Sequence, residues 1–383
     1  MKREVEKSKV GTVERMAEVI REGLQNALPG MSKPMLRKLP LAIAAVIEAG
    51  TPNTIEISGL LPLATERSDT REQWLRRLLM NELLVSHEVM APFAKEAFEL
   101  VGVGRQTISL AMDQSDLGNR FAILMISVRI GNRSLPVAWM VESGAANIGF
   151  EGQKKLLETV LGWLPSGASV MLLADRFYPS GELIKWLQNA GWQYRLRLKG
   201  NLKVDVGQAG VETTGDLVSG LGERYEAHAR LFAEGVPTAI GVLHEAGHRE
   251  PWIIAMDCYP SREAVLDYGK RWCIEPTFSD FKSRGFNLEE THLEAADRLD
   301  RLILLMTLAM HWCVKIGREE AMSHPTPTEK KLLNSKTLIT GMLKKPFAAP
   351  SHGSSGVNVC LPDYFNFPSH SQHFFETQNC ERW

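Results

Sequence analysis

Cysteine is scarce, and its spacing suits neither of its usual structural uses. The five residues, Cys258, Cys273, Cys313, Cys360 and Cys380, are odd in number and form no C-x-x-C pair, which argues against both a zinc site and a disulfide framework. A reducing compartment is the expectation. No stretch reaches the roughly 18 uninterrupted apolar residues of a spanning helix. The opening MKREVEKSKVGTVERM is charged and lacks the apolar centre of a secretory leader. A cytoplasmic chain without a membrane segment is therefore expected. Net charge is missing as well: 44 Lys and Arg stand against 45 Asp and Glu, so any surface for a polyanion must come from local clustering.

What is present is enough apolar material for folding, 44% of 383 residues, and a length suited to two or three domains. Residues 1–100 read as short helices. Apolar positions recur at helical spacing in VERMAEVIREGL, LPLAIAAVIEAG and EQWLRRLLMNELL, and turns fall at Pro29-Gly30, Gly50-Thr51-Pro52 and Pro62. Such a region suits a helix-turn-helix type of DNA-binding domain. Arg71, Arg76 and Arg77 share one helix with Trp74, and Lys33, Arg37 and Lys38 form a second basic cluster. From charge alone a solvated helix face is the better account, and DNA recognition by this region needs support from elsewhere.

From Thr107 the period changes. TISLAMDQS, FAILMISVRIG and SLPVAWMVES predict three consecutive antiparallel strands, with a turn at Gly131-Asn132. A helix over 149–164, the strand SVMLLADRF, a helix near 181–190 and the strand WQYRLRLKG follow. This is the element order of a ribonuclease-H-like α/β core, expected over 101–200 and again over 251–340. Between them, 201–250 reads as an all-β insertion. A strand, PWIIAMD, precedes one long helical stretch from Ser261 to about Arg318, and 341–383 is an irregular tail rich in Pro, Gly, Ser and His.

Asp113 falls near the end of the first strand and Asp175 at the end of the fourth, adjacent strands in such a sheet. Two carboxylates side by side repel unless a cation neutralises them, and oxygen-only ligands favour Mg²⁺ or Mn²⁺. Asp at a strand end is also ordinary turn chemistry, so either residue alone says little. A third carboxylate stands in DYGKRWCIEPTFSDFKSRGF. Tyr268, Arg271, Glu275 and Lys282 lie at offsets of three, seven and fourteen, which on a continuous helix brings them within roughly 60° of one another. Pro276 directly follows Glu275 and predicts a kink there.

Tyr268-x2-Arg271-x3-Glu275-x6-Lys282 resembles the signature of the insertion-sequence-four type of bacterial transposases, a DDE group with a ribonuclease-H-like core. The resemblance extends over 108–312. It implies cut-and-paste transposition, with Asp113, Asp175 and Glu275 holding two ions about 3.5–4 Å apart. Tyr268, Arg271 and Lys282 match positions that grip phosphates near a hairpin intermediate, and Trp252 matches the aromatic on which a flipped base stacks. Core packing is the alternative for Trp252. Arg195, Arg197 and Lys199 alternate with Leu196 and Leu198, which predicts a basic strand face, and Arg176 beside Asp175 meets either phosphate or a carboxylate. The expected partners are duplex DNA with terminal inverted repeats, target DNA and a second copy of the chain in the DNA complex. Two further readings stay open: an inhibitor that binds element ends without completing cleavage, and a nuclease without strand transfer.

Overall fold

The structure is a computed structural model that describes residues 2–207, 211–282 and 286–323, with the side chains of 2–8, 211–212 and 318–323 left out. The expected tail over 341–383 lies outside the described residues.

Five helices come first: α1 (Lys2–Ala27), α2 (Lys33–Ala49), α3 (Thr54–Gly59), α4 (Ser68–Leu79) and α5 (Ser86–Val101). Sequence chemistry sets their ends. Gly50 closes α2 in the left-handed conformation, φ 61°, with its N–H on the Val46 carbonyl at 3.0 Å. Asn53 caps α3 by accepting from the Ile55 amide at 3.0 Å.

Ten strands then form one mixed sheet, in the order β3-β2-β1-β4-β5-β10-β9-β8-β6-β7. Strands β1 (Ile108–Leu117), β2 (Phe121–Ile130) and β3 (Arg133–Ser143) make an antiparallel meander. Gly131, at φ 64°, sits in the two-residue connection between β2 and β3. Helix α6 (Phe150–Leu161) leads to β4 (Val170–Ala174), and α7 (Gly181–Asn189) to β5 (Gln193–Arg197); β1, β4 and β5 run parallel. The five residues of β4, VMLLA, are all buried, as expected of a parallel strand covered on both faces.

The β-rich segment is not a separate body. Strands β6 (Lys203–Asp205), β7 (Val211–Thr213), β8 (Gly222–Leu231) and β9 (Val236–His244) continue the same sheet, because β9 pairs antiparallel with β10 (Trp252–Met256), which in turn pairs with β5.

The long helix expected from Ser261 is broken. Helix α8 (Arg262–Leu266) runs into a 3-10 segment, Asp267–Cys273, then α9 (Ile274–Phe281), a second 3-10 turn, Leu288–Glu290, and α10 (Ala296–Ser323). Pro276 accounts for the first change. It has no N–H for the carbonyl four residues back, so it sits in the first turn of α9 while the chain before it winds more tightly.

One hydrophobic core serves helices and sheet together. Ile43, Leu75 and Phe98 belong to the same buried cluster as Leu124, Leu172 and Leu305. Helix α10 packs on α2, α5 and β3, and its Arg301 donates to the Leu79 and Leu84 carbonyls at 2.8 and 3.2 Å. The fold is thus a mixed α/β architecture compatible with a ribonuclease-H-like core. Among the described residues no helix is long and apolar enough to cross a membrane.

Candidate active site

Strand register positions the first two acids. The parallel ladder of β1 and β4 ends at the pair Met112 and Ala174, and the next residues are Asp113, still on β1, and Asp175, just past the end of β4. Asp113 lies within β1, not at its end, because β1 runs on to Leu117 against β2 alone. It is nevertheless at the carboxyl edge of the parallel part of the sheet, where open α/β sheets place ligands.

Glu275 arrives on α9, which is docked onto the meander from beneath its own first turns. Cys273 and Ile274 bury against Ala111 of β1. Thr277 hydrogen-bonds the Ser134 hydroxyl and carbonyl, each at 2.9 Å, and Arg133 pairs with Asp280 at 2.5 Å.

Arg271 joins the parts. Its side chain is only 7% exposed; one terminal nitrogen donates to Asp113 Oδ2 at 2.8 Å and the other to Glu275 Oε1 at 3.0 Å, while the buried Nε has no hydrogen-bond partner. Tyr268, buried to 1%, donates its hydroxyl to Asp175 Oδ1 at 3.1 Å. Tyr178 donates to Asp113 Oδ1 at 3.0 Å, and the Gln114 amide donates to the same oxygen at 2.9 Å.

The electrostatics follow from burial and crowding. Burial pushes the Asp113 carboxyl up; the Arg271 charge and the Tyr178 hydrogen bond pull it down, and the Asp175 charge pushes it up again. Glu275 is raised first by burial, against the pull of Arg271, and further by both aspartates. The phenols of Tyr178 and Tyr268 are raised chiefly by burial, so both stay protonated donors. Burial alone would lower Arg271, but the surrounding acids Asp113, Asp175 and Glu275 outweigh it and keep it charged. Asp113 and Glu275, each raised in part by its acidic neighbours, supply with Asp175 the hard oxygen donors that suit a divalent cation. Among the described residues no three of His, Cys, Asp and Glu stand close enough to grip an ion as placed. The neutralising positive charge here is the guanidinium of Arg271.

The other sequence candidates divide. Tyr268 and Arg271 share one face of the 3-10 segment, three residues apart, where the tighter winding eclipses them. Lys282 does not share it. It is the buried C-cap of α9, and the acidic groups acting on it most are Glu289 and Asp116. The break at Asp267–Cys273 is the physical reason that four residues expected on one helix are not on one. Trp252 opens β10 and meets Tyr268 and Trp272 edge-to-face, each with centroids 5.3 Å apart.

Arg195 is 4% exposed and bonded to Asp257, the Ala264 and Tyr194 carbonyls and Cys258 Sγ, so it is an internal cation. The basic face expected on this strand reduces to Arg197 and Lys199. Arg197 lies 3.9 Å from Asp175 and 3.6 Å from Glu250, and Arg176 pairs with Glu250 at 3.0 Å. On α4, Arg71 donates to the Thr65 and Gly59 carbonyls, Arg76 pairs with Glu72, and Arg77 is exposed.

Sequence reasoning missed Tyr178 and Glu250. Tyr178 follows Asp175 by three residues in a turn closed by its amide on the Asp175 carbonyl at 3.2 Å, and that spacing was the available signal. Glu250 carried none, since β9 and β10 bring it back from far along the chain.

Residues 128–312 match the family model described as the transposase DDE domain. No curated protein sequence matches the chain. The match begins after Asp113 and includes Asp175, the β-rich segment and Glu275. It supports a DDE transposase, with transposition and DNA recombination as the process.

Proposed function

We propose that the chain is a cut-and-paste transposase of the insertion-sequence-four type, with Asp113, Asp175 and Glu275 as its catalytic carboxylates. The observation that carries this reading is their convergence. Two acids stand level at the edge of adjacent parallel strands, and one buried guanidinium ties the first of them to Glu275.

DDE transposases generally use divalent metal ions, and these three side chains would hold a pair of Mg²⁺ or Mn²⁺ ions, which when bound neutralise charge on the phosphate and acidify the attacking hydroxyl. The protein's own contribution is position and charge. Arg271, already desolvated and charged, is a bidentate donor suited to a phosphate, and Tyr268 is a buried hydroxyl donor beside it. Arg176, Arg197 and Lys199 offer cations along the strand that leads into the site. Trp252 presents an indole at the start of β10, suited to a displaced base.

In the reaction, water attacks the scissile phosphorus and the bond to the 3′ oxygen breaks, leaving a 3′-hydroxyl. That hydroxyl attacks the opposite strand and closes a hairpin; a second water opens it, and the freed 3′ end attacks target DNA. The terminal inverted repeats are bound by the N-terminal helices, with Arg71, Arg76 and Arg77 as contacts, and two copies of the chain pair two ends.

The test uses a duplex carrying the inverted repeats that flank the gene, with Mg²⁺. The protein is expected to nick it and form hairpins, and Asp175→Ala to bind it without cutting. Equal cleavage by that variant overturns the assignment. Binding without nicking by the unaltered protein would instead identify an inhibitor of transposition.

A further inference from the structure

Beyond the carboxylates, the same edge of the sheet carries a cleft of about 590 Å³ between the β4 end and the β5 end, within the roughly 300–1,000 Å³ typical of small-ligand sites. It opens where the Asp175 turn meets the loop after β5. Phe177, two residues beyond Asp175, is 55% exposed and has cations beside its ring: the Lys199 ammonium lies 4.9 Å from its centroid and the Arg176 guanidinium 6.0 Å. Arg197 lines the cleft and reaches within 3.9 Å of Asp175. Glu250 sits on both arginines, at 3.0 Å from Arg176 and 3.6 Å from Arg197, with a side chain 57% exposed. The loop wall is shaped by a close backbone approach, since a Cβ on Gly215 would meet the Gly200 carbonyl oxygen at 2.8 Å.

We infer that this cleft is a subsite for one unpaired nucleotide next to the scissile phosphate, with the base on Phe177 and its phosphate on Arg197, Arg176 and Lys199. The inference rests on the strand-cleavage reading above and deepens it. An exposed ring face flanked by cations accepts any base, but only one already out of a stack, because a base stacked between neighbours has no free face. The three cations supply the phosphate contacts. Glu250 occupies, in the free protein, the place a phosphate takes on Arg176 and Arg197, and its exposure lets it swing out when the stronger anion arrives. Asn201 adds a side-chain amide at the rim.

The probe is fluorescein-labelled (dT)8, measured by fluorescence anisotropy on the full chain in EDTA so that no cleavage occurs. Phe177→Ala is expected to weaken binding roughly 5- to 150-fold, the range for loss of one base–aromatic stack. Phe177→Leu, which keeps apolar bulk without a π-face, is expected to weaken it likewise, and Phe177→Tyr to preserve it. Lys199→Ala should lower the slope of log affinity against log salt by about 0.7. Binding of a blunt duplex should be unchanged by Phe177→Ala. Unaltered (dT)8 affinity in Phe177→Ala and Phe177→Leu, or equal loss on duplex and single strand, overturns the subsite. These measurements contain no metal and no cleavage. Failure here leaves the Asp175→Ala test standing, and failure there leaves single-strand binding at Phe177 intact.

Discussion

Replacing Arg271 by methionine removes the one charge that holds Asp113 and Glu275 together while keeping the length of the side chain. The guanidinium makes contacts of 2.8 and 3.0 Å to the two carboxylates and is 7% exposed. Opposite charges about 4 Å apart attract by about 4 kcal/mol at an effective dielectric of about 20, which applies to Asp113, whereas the Glu275 side chain is 56% exposed and its contact is screened toward that of a surface pair, about 0–1 kcal/mol. Desolvation of the guanidinium offsets much of this, and removing one partner of a buried pair costs about 3–5 kcal/mol net. That is the expected loss of unfolding free energy at pH 8, read from urea titrations followed by tryptophan fluorescence.

The pH dependence has a definite sign. Asp113 and Glu275 both have raised values in the folded protein, so their contribution to stability is full below the unfolded carboxylate range and is lost as pH rises through the folded values. Without Arg271 its downward pull disappears, the folded values climb further, and the loss deepens. The penalty of Arg271→Met should therefore shrink as pH falls, when both acids carry protons and the buried guanidinium of the unaltered protein has lost its partners. A penalty under about 1 kcal/mol, or one constant from pH 5 to pH 8, would refute the account of the site as a carboxylate cluster neutralised by Arg271.

Other consequences are accessible to simple assays. Arg195→Met should cost about 3–5 kcal/mol in the same urea titration, because it breaks a pair whose arginine is 5% exposed. Arg77→Ala, at an exposed position on α4, should leave stability within about 0.5 kcal/mol but lower duplex affinity and the salt slope by about 0.9 per phosphate contact. Binding of Mg²⁺ should release more protons as pH is lowered, since metal ligands must be deprotonated and Asp113 and Glu275 are raised; calorimetry in buffers of different ionisation enthalpy measures the number, and none released at any pH would contradict those raised values.

Much of this was legible because its signals are local. Alternating and continuous apolar runs mark β1 to β5, and the step from an apolar strand to Asp175 marks the sheet edge. The i, i+3 spacing of Tyr268 and Arg271 survives in either a 3-10 or an α-helix, which is why that pair was readable although the helix type was not. Lys282 departs from the expected face because α9 ends at Phe281 and Lys282 is its C-cap, off the helical path at φ −84° and ψ −83°, an end that the spacing does not mark. Arg195 looked like surface because strand alternation sets only the face, and the covering by α8 and the acid at Asp257 come from distant parts of the chain. That the expected β segment would extend the same sheet was not readable for the same reason: edge-to-edge pairing of β9 with β10 has no local mark.

A single shared interior has an evolutionary corollary. With Ile43, Leu75 and Phe98 interlocked with Leu124 and Leu305, the amino-terminal helices cannot be exchanged as a block without tearing open the middle of the molecule. Change in that region has to come by piecemeal substitution of outward-facing positions, leaving the framework intact.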